Sequence, residues 1–282
     1  MDKMDNKVLN VVPGLHDERD FFTRVVRSGS RSAPTKIDLR PLFPPVYDQL
    51  SLGSCTANAA CAVQAYNQKQ FQGIPNPVLL SRLFEYFSSR TNKASDTGAT
   101  IKDAVAALAT LGSCPETQWP YDIRKYAQQP PHECYVSAAS NRISQYARVP
   151  QTRSSFEAAL SAGMPIVLGV AVYESFGRTR ADGFVPVPNP ATERLLGGHA
   201  LVIAGYDVSN PSNPFFIVRN SWGTRWGNNG YCYVPYAYFL DRNLAFDSWT
   251  FLNKNVPVGT PISSPSHTVH LVNPRDLFEE EE

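Results

Sequence analysis

Apolar positions recur at helical spacing in the first half of the chain and in short continuous runs in the second. Between residues 56 and about 72, Ala57, Ala60, Cys61 and Ala65 fall on one side of a helix and leave Cys55 at or near its start. Ile101, Ala104, Val105 and Leu108 form a second stripe, with Thr100 placed to cap it, Asp103 in its first turn and Gly112 to end it. Leu83, Phe84 and Phe87 predict a third helix between these two. Beyond residue 150 the texture changes. Ser154 and Glu157 read as a capping box for a short helix ending at Gly163, after which apolar runs at 165–173, 199–206, 215–219, 230–234 and 248–252 predict strands. The result is an α+β reading, with a helical half over about 34–148, a β-rich half over about 149–255, and a cleft between them.

The two ends differ from this body. Residues 1–33 are polar and charged in character, with one amphipathic patch in which Phe21, Phe22, Val25 and Val26 fit one helix face, and a Ser/Gly/Arg stretch at 27–32 before Pro34 reads as a linker. Residues 256–282 read as a tail whose acidic end, Glu279 to Glu282, is solvated.

Composition narrows the possible chemistry. A chain of 282 residues that is 43% hydrophobic buries a full core, and a net charge of +1 supplies neither the basic stripe of a nucleic-acid binder nor the basic face of a protein that docks on an anionic membrane. No run approaches the ~20 apolar residues of a membrane span, and the polar start has no signal-peptide core behind it, which favours an intracellular or packaged location. Five cysteines form no C-x-x-C pair, against structural zinc or a redox motif, and no metal site is expected. With Cys55 free, Cys114 and Cys134 bracket one loop-rich stretch and are the favoured disulfide pair, though reduced thiols fit equally.

Three separated patches carry candidate chemistry: Gln49 with Gly53-Ser54-Cys55, Gly197-Gly198-His199-Ala200, and Asn220-Ser221-Trp222-Gly223. In order they hold an amide donor, a thiol, a base and a residue to orient the base. A helix N-terminus and a neighbouring imidazolium are expected to lower the Cys55 thiol below its usual value of about 8.5. Of the five histidines only His199 opens an apolar strand, and the Asn220 carbonyl can hold its ring. Trp222 is expected to cover that bond. Gln49 and the Cys55 N–H form a pair of oxyanion donors. Asp247 either borders a pocket for a basic side chain or, as the preferred reading, is an exposed strand carboxylate.

Over most of residues 34–252 the chain resembles the papain family of cysteine peptidases. The resemblance rests on Asp38-Leu39-Arg40, Asp48-Gln49 through Cys55, Gly112 with Trp119-Pro120-Tyr121, Gly198-His199-Ala200, and Asn220-Ser221-Trp222-Gly223 followed by Trp226-Gly227 and Gly230-Tyr231. It implies a two-lobed fold with a β-barrel-like second lobe, Cys55 as nucleophile, His199 as acid/base, Asn220 as its orienting partner and Gln49 as oxyanion donor. It further implies substrate contacts at Gly98 and Trp222, an apolar-side-chain pocket bordered by Ala200 and Gly169, protein or peptide substrates, and no cofactor. Leu52 stands where the family carries a cysteine, and Thr56 where it carries an aromatic. The expected activity is endopeptidase, held latent by the N-terminal segment. The alternatives are a catalytically silent binding protein of the same fold and an acyltransferase.

Overall fold

The computed structural model describes residues 7–15, 17, 20–27, 33–179, 182–253, 262–263 and 267–272. Helix α1 (Cys55–Gln72) is buried from Cys55 through Gln68. A helix that deep has to be narrow and has to satisfy its own polar groups. Ala57, Ala59, Ala60, Ala62 and Ala65 keep it narrow and favour the helical state, while the side-chain amides of Asn58, Gln64 and Asn67 donate to Ser54 O, Asn141 O and Phe251 O. Gly73, at φ 65°, ends it in the left-handed conformation.

Helix α2 (Arg82–Ser89) is capped by Ser81, whose hydroxyl accepts from Phe84 N at 3.0 Å. Thr100 caps α3 (Ile101–Thr110) through Asp103 N at 2.8 Å, as its sequence predicts. A short α4 (His132–Ala138) follows. The next helix, α5 (Arg153–Ser161), departs from expectation at its start: Thr152, not Ser154, is the cap, accepting from Ser155 N at 3.2 Å. Glu157 does not turn back to complete a box because Arg153 at 2.8 Å and the Tyr236 hydroxyl at 3.0 Å engage it.

Among the described residues ten strands form one sheet. They are β1 (Phe22–Arg27), β2 (Lys36–Asp38), β3 (Ile143–Arg148), β4 (Ile166–Tyr173), β5 (Leu195–Asp207), β6 (Phe215–Arg219), β7 (Tyr231–Pro235), β8 (Ala245–Asn253), β9 (Ile262–Ser263) and β10 (His267–Val272). Two short helices, α6 (Glu174–Gly177) and α7 (Tyr236–Leu240), lie between strands. The order is β7-β6-β5-β4-β8-β3-β1-β10-β9, with β2 paired to β5 off this path. Among the described residues nothing joins β7 to β9, so the sheet is open and the barrel-like closure expected of the second half is absent. The edge of β3 meets β1, which carries the sheet outward. Helix α1 packs on β5 and β8, and α2 and α3 pack on α1.

The stretch expected as an amphipathic N-terminal helix is strand β1, running antiparallel to β10 from Phe22 opposite Val272 to Arg27 opposite His267. Thr23, Val25 and Val26 are β-branched and fit a pleated surface better than a helix. The partner strand comes from the region expected as a tail, and Val269 from it is fully buried. Glu279 to Glu282 and linker residues 28–32 lie outside the described residues. The favoured disulfide is not formed: all five cysteines are free, with Cys114 and Cys134 as hydrogen-bonded thiols in one buried cluster.

Glu85 in α2 is fully buried, and neither carboxyl oxygen has a hydrogen-bond partner among the described residues. Burial pushes its carboxyl well above the ordinary range. A carboxyl raised in the folded state favours folding only below its unfolded value of about 4.3 and works against it as pH climbs toward the folded value. Glu85→Leu is therefore expected to stabilise the protein at pH 7 by roughly 1–3 kcal/mol, with the gain shrinking toward pH 4. Denaturant melts of both proteins at the two pH values check this, and an unaltered difference between them would refute it.

Candidate active site

The segment before α1 is fastened to the β-rich half. Gln49 N donates to Ser221 O at 2.8 Å, and the Gln49 carbonyl accepts from the Tyr121 hydroxyl at 2.9 Å. The buried Gln49 side chain is fixed at both ends: Oε1 accepts from Ser221 Oγ at 2.7 Å, and Nε2 donates to Leu52 O at 3.0 Å. Cys55 is the first residue of α1, and the backbone N–H groups of Ala200, Thr56 and Cys55 itself point at its sulfur. The thiol thus lies against the peptide unit that follows His199.

His199 sits within β5, opposite Val170 of β4, rather than at the strand's opening. Its Nε2 lies 2.8 Å from Asn220 Oδ1, which also accepts from Ser221 N at 2.8 Å. Because that oxygen is an acceptor, Nε2 carries the ring proton and the lone pair stays on Nδ1, which is buried and has no hydrogen-bond partner among the described residues. Trp222 stacks on the imidazole at 4.8 Å and 28°, and is itself held edge-on by Phe176 at 5.8 Å and Trp226 at 5.0 Å. An aromatic cover of this kind keeps water from the His199–Asn220 bond.

The electrostatics run against the sequence expectation. Burial pushes the Cys55 thiol up to about 11, although the Ala200, Thr56 and Cys55 N–H groups pull it down. Burial pushes the His199 imidazole down to about 4, against the Asn220 bond and with help from Lys7. The helix N-terminus acts in the expected direction, but desolvation is the larger effect and leaves both groups neutral.

The N-terminal segment runs along this site. Lys7 pairs with Asp48, and Val8 O receives Gln49 Nε2 at 3.4 Å. Asn10 bridges to Gly198 and its side-chain nitrogen donates to Asp96 O at 2.9 Å. Val11 N donates to Gly198 O at 3.1 Å, Val12 N to Ala99 O at 3.2 Å, and Gly14 N to the Asp247 carboxylate. Two glycines make this path possible: a Cβ on Gly53 would sit 2.1 Å from Asn10 Oδ1, and one on Gly98 would sit 1.9 Å from Asn10 O. Beyond the cleft, Arg148 holds Leu15 O, Asp20 and Asp247, while Lys102 holds Asp17 and Asp20.

The expected substrate residues meet this segment unequally. Ala200 shares a buried cluster with Val11. Gly169 pairs with Ala200 in the sheet, but its open side is filled by Phe246, whose ring would lie 2.5 Å from an added Cβ. The Gly98 N–H is engaged by the Tyr86 hydroxyl at 3.1 Å, and the wall's acceptor toward the segment is Ala99 O, which the sequence reading missed. Its signal was its place between Gly98 and the Thr100 cap. Asp247 is no exposed carboxylate: its side chain is 7% accessible because Arg148 and Gly14 N close over it. Among the described residues no group of His, Cys, Asp and Glu is placed to hold a metal, and no helix is long and apolar enough to cross a membrane.

The family profile described as papain family cysteine protease matches residues 33–239. The chain belongs to the papain family. Among curated relatives of this papain-family chain, a peptidase C1-like protein of Acanthamoeba polyphaga mimivirus is 37% identical over 224 residues, covering 75% of this chain and 70% of that protein. Among solved structures, xylellain, a cysteine protease from Xylella fastidiosa, superposes with a TM-score of 0.78 at 33% identity, covering 88% of this chain and 97% of that one. Bromelain from Ananas comosus, solved with the E64 inhibitor, shares the fold at a TM-score of 0.59 and 24% identity, covering 78% of this chain and 100% of that one. The chain is thus a cysteine peptidase with a papain-like mixed helix and sheet fold.

The buried imidazole gives a pH signature. A histidine depressed to about 4 in the folded state stabilises fully above its unfolded value of about 6.5 and loses that contribution as pH falls between the two. The stability of wild type relative to His199→Gln is expected to fall by roughly 3 kcal/mol from pH 7 to pH 4. Parallel urea titrations across that range measure it, and a flat difference would show that the ring is not held neutral.

Proposed function

We propose that the chain is an endopeptidase that cleaves peptide bonds through a thioester on Cys55 and is held latent by its own N-terminal segment. His199 Nδ1 takes the thiol proton as the sulfur attacks the peptide carbonyl carbon. Gln49 Nε2 and the Cys55 N–H donate to the developing oxyanion. The imidazolium then returns its proton to the departing amine, and a water activated by the same nitrogen hydrolyses the thioester. Asn220 keeps the ring turned so that Nδ1 is the working atom, and Trp222 shields the bond that does so. The observation that carries this reading is the His199–Asn220 bond, which commits Nε2 and leaves a buried, unengaged Nδ1 beside the peptide unit that contacts the Cys55 sulfur.

Latency follows from what the segment occupies. Its Val8 carbonyl takes a hydrogen from the Gln49 donor, and its Val11 N–H takes the Gly198 acceptor, the groups that a substrate would use. By covering the site it also holds thiol and imidazole in their neutral, unreactive forms. A substrate enters only after residues 7–15 have left.

A peptide epoxide directed at thiols is expected to label wild type, and Cys55→Ala is expected to lose both label and peptide hydrolysis. An unreactive Cys55 in a chain that still binds peptide would instead support a silent binding protein, and products that incorporate an added amine would support acyl transfer.

Removing residues 1–15, which leaves β1 in the sheet, is expected to raise turnover at least about tenfold, because a segment seated nine-tenths of the time lowers the competent fraction by that factor. Val11→Asp in the full chain is expected to act in the same direction. Unchanged turnover in both would eliminate latency while leaving the peptidase reading intact.

A further inference from the structure

Asp96 lies outside the sequence-predicted site, yet it joins two separate segments on the helical side of the cleft. The Gly53 N–H, in the turn that leads into Cys55, points between its two carboxylate oxygens at 3.1 Å from each. The buried Tyr86 hydroxyl donates to the same carboxylate and in turn accepts the Gly98 N–H at 3.1 Å. One continuous chain of bonds therefore runs from the nucleophile turn through Asp96 and Tyr86 to the Gly98–Ala99 wall on the same side of the cleft. This turn has no covalent fastening. Leu52 occupies the position where the resemblance places a cysteine, and all five cysteines are free.

We propose that Asp96 is a positioning residue for the reaction on Cys55: its carboxylate fixes Gly53, and through it the Cys55 N–H, while Tyr86 ties the same anchor to the Gly98–Ala99 wall. The inference rests on Cys55 being the nucleophile. A charged acceptor suits the role, because hydrogen bonds to an ionised carboxylate are roughly twice as strong as neutral ones and the turn has no other side-chain tie to that wall among the described bonds. Asp96 acts only through its neighbours. A turn freed at Gly53 lets the oxyanion donor drift, and a displacement of about 1 Å in such a site costs on the order of 10²-fold in rate. Its role is separable from latency, since the N-terminal segment touches Asp96 at the main-chain oxygen, which a side-chain substitution leaves in place.

The test uses the full chain, alone and with Val11→Asp, so that a change in latency is not read as a change in chemistry. Asp96→Ala is expected to lower kcat by about 10- to 100-fold with KM within about threefold. Asp96→Asn keeps an oxygen acceptor for Gly53 and is expected to recover to within about tenfold of wild type. Tyr86→Phe/Asp96→Ala should be no slower than Asp96→Ala alone, since both side chains belong to one tie. A folded Asp96→Ala with wild-type kcat would overturn the proposal, as would a loss that follows the melting temperature and is not eased by Asp96→Asn. Should Asp96→Ala fail to fold, Asp96→Asn and Tyr86→Phe carry the same comparison. Epoxide labelling separates the two levels of failure: a wild type that neither labels at Cys55 nor hydrolyses peptide removes the parent reading and this one with it, whereas an active wild type with an equally active Asp96→Ala removes the positioning role alone.

Discussion

The contact between the first turn of α1 and strand β5 is the constraint on which the rest depends. There the Cys55 sulfur receives the Ala200 N–H, and the histidine stands one residue away on the same strand. Such an approach requires small residues. Ala59, Ala60 and Ala200 put no bulk between helix and strand, and the alanines of α1 allow it to be enclosed by α2, α3, β5 and β8 at once. The catalytic geometry is therefore a consequence of core packing. Gln49, hydrogen-bonded to Ser221 through both backbone and side chain, stitches the loop before the helix to the loop after β6, so Cys55, His199 and Asn220 belong to one packed unit.

That enclosure also decides the charge state. A helix N-terminus and two or three N–H groups favour a thiolate, but their pull is smaller than the cost of an uncompensated charge in a site without water. With residues 7–15 in the cleft, the neutral thiol and the neutral imidazole are the lower-energy forms. The same residues without that cover would face solvent, and the ion pair that the chemistry needs would no longer carry the full desolvation cost. Closure and the neutral charge state are thus one physical fact seen from two sides.

Much of this was legible in the sequence because local signals and tertiary packing agree. The stripes of α1 and α3, the Thr100 cap and the apolar runs of β4 to β8 are short-range patterns; Cys55 opens α1 and Asn220 follows β6, whereas His199 lies inside β5. What was missed depends on long-range partners. Phe21, Phe22, Val25 and Val26 fit a helix face on spacing alone, and only the distant strand β10 makes them a strand. Asp247 read as exposed because nothing near it in sequence announces Arg148, which lies 99 residues away. Asp96 was invisible for a related reason. Its role is set by Gly53, 43 residues earlier, and the only sequence trace was the missing cysteine at Leu52. The Ser154–Glu157 box failed differently, since a correct motif lost its glutamate to Arg153 and Tyr236.

The covering segment is held in two unequal ways, and the inequality bears on how it lets go. Within the cleft its contacts are single hydrogen bonds at Val8, Asn10, Val11, Val12 and Gly14, each contributing about 1 kcal/mol net, plus the Lys7–Asp48 pair and the buried Val11 side chain. Taken alone, such a peptide would bind weakly. Farther along, Asp17 and Asp20 are gripped by Lys102 and Arg148, and β1 is paired along its whole length with β10. This anchor makes occupancy of the cleft an intramolecular event with a millimolar effective concentration, on the scale expected for a short tether. Residues 7–15 can therefore leave the catalytic pair while the anchor stays formed, and the equilibrium between covered and open states is set by the weak contacts, with the strong ones fixing only where the segment returns. The C-terminal strand, remote from the chemistry, thus shares in the covering of Cys55, because β10 holds the strand from which the segment extends.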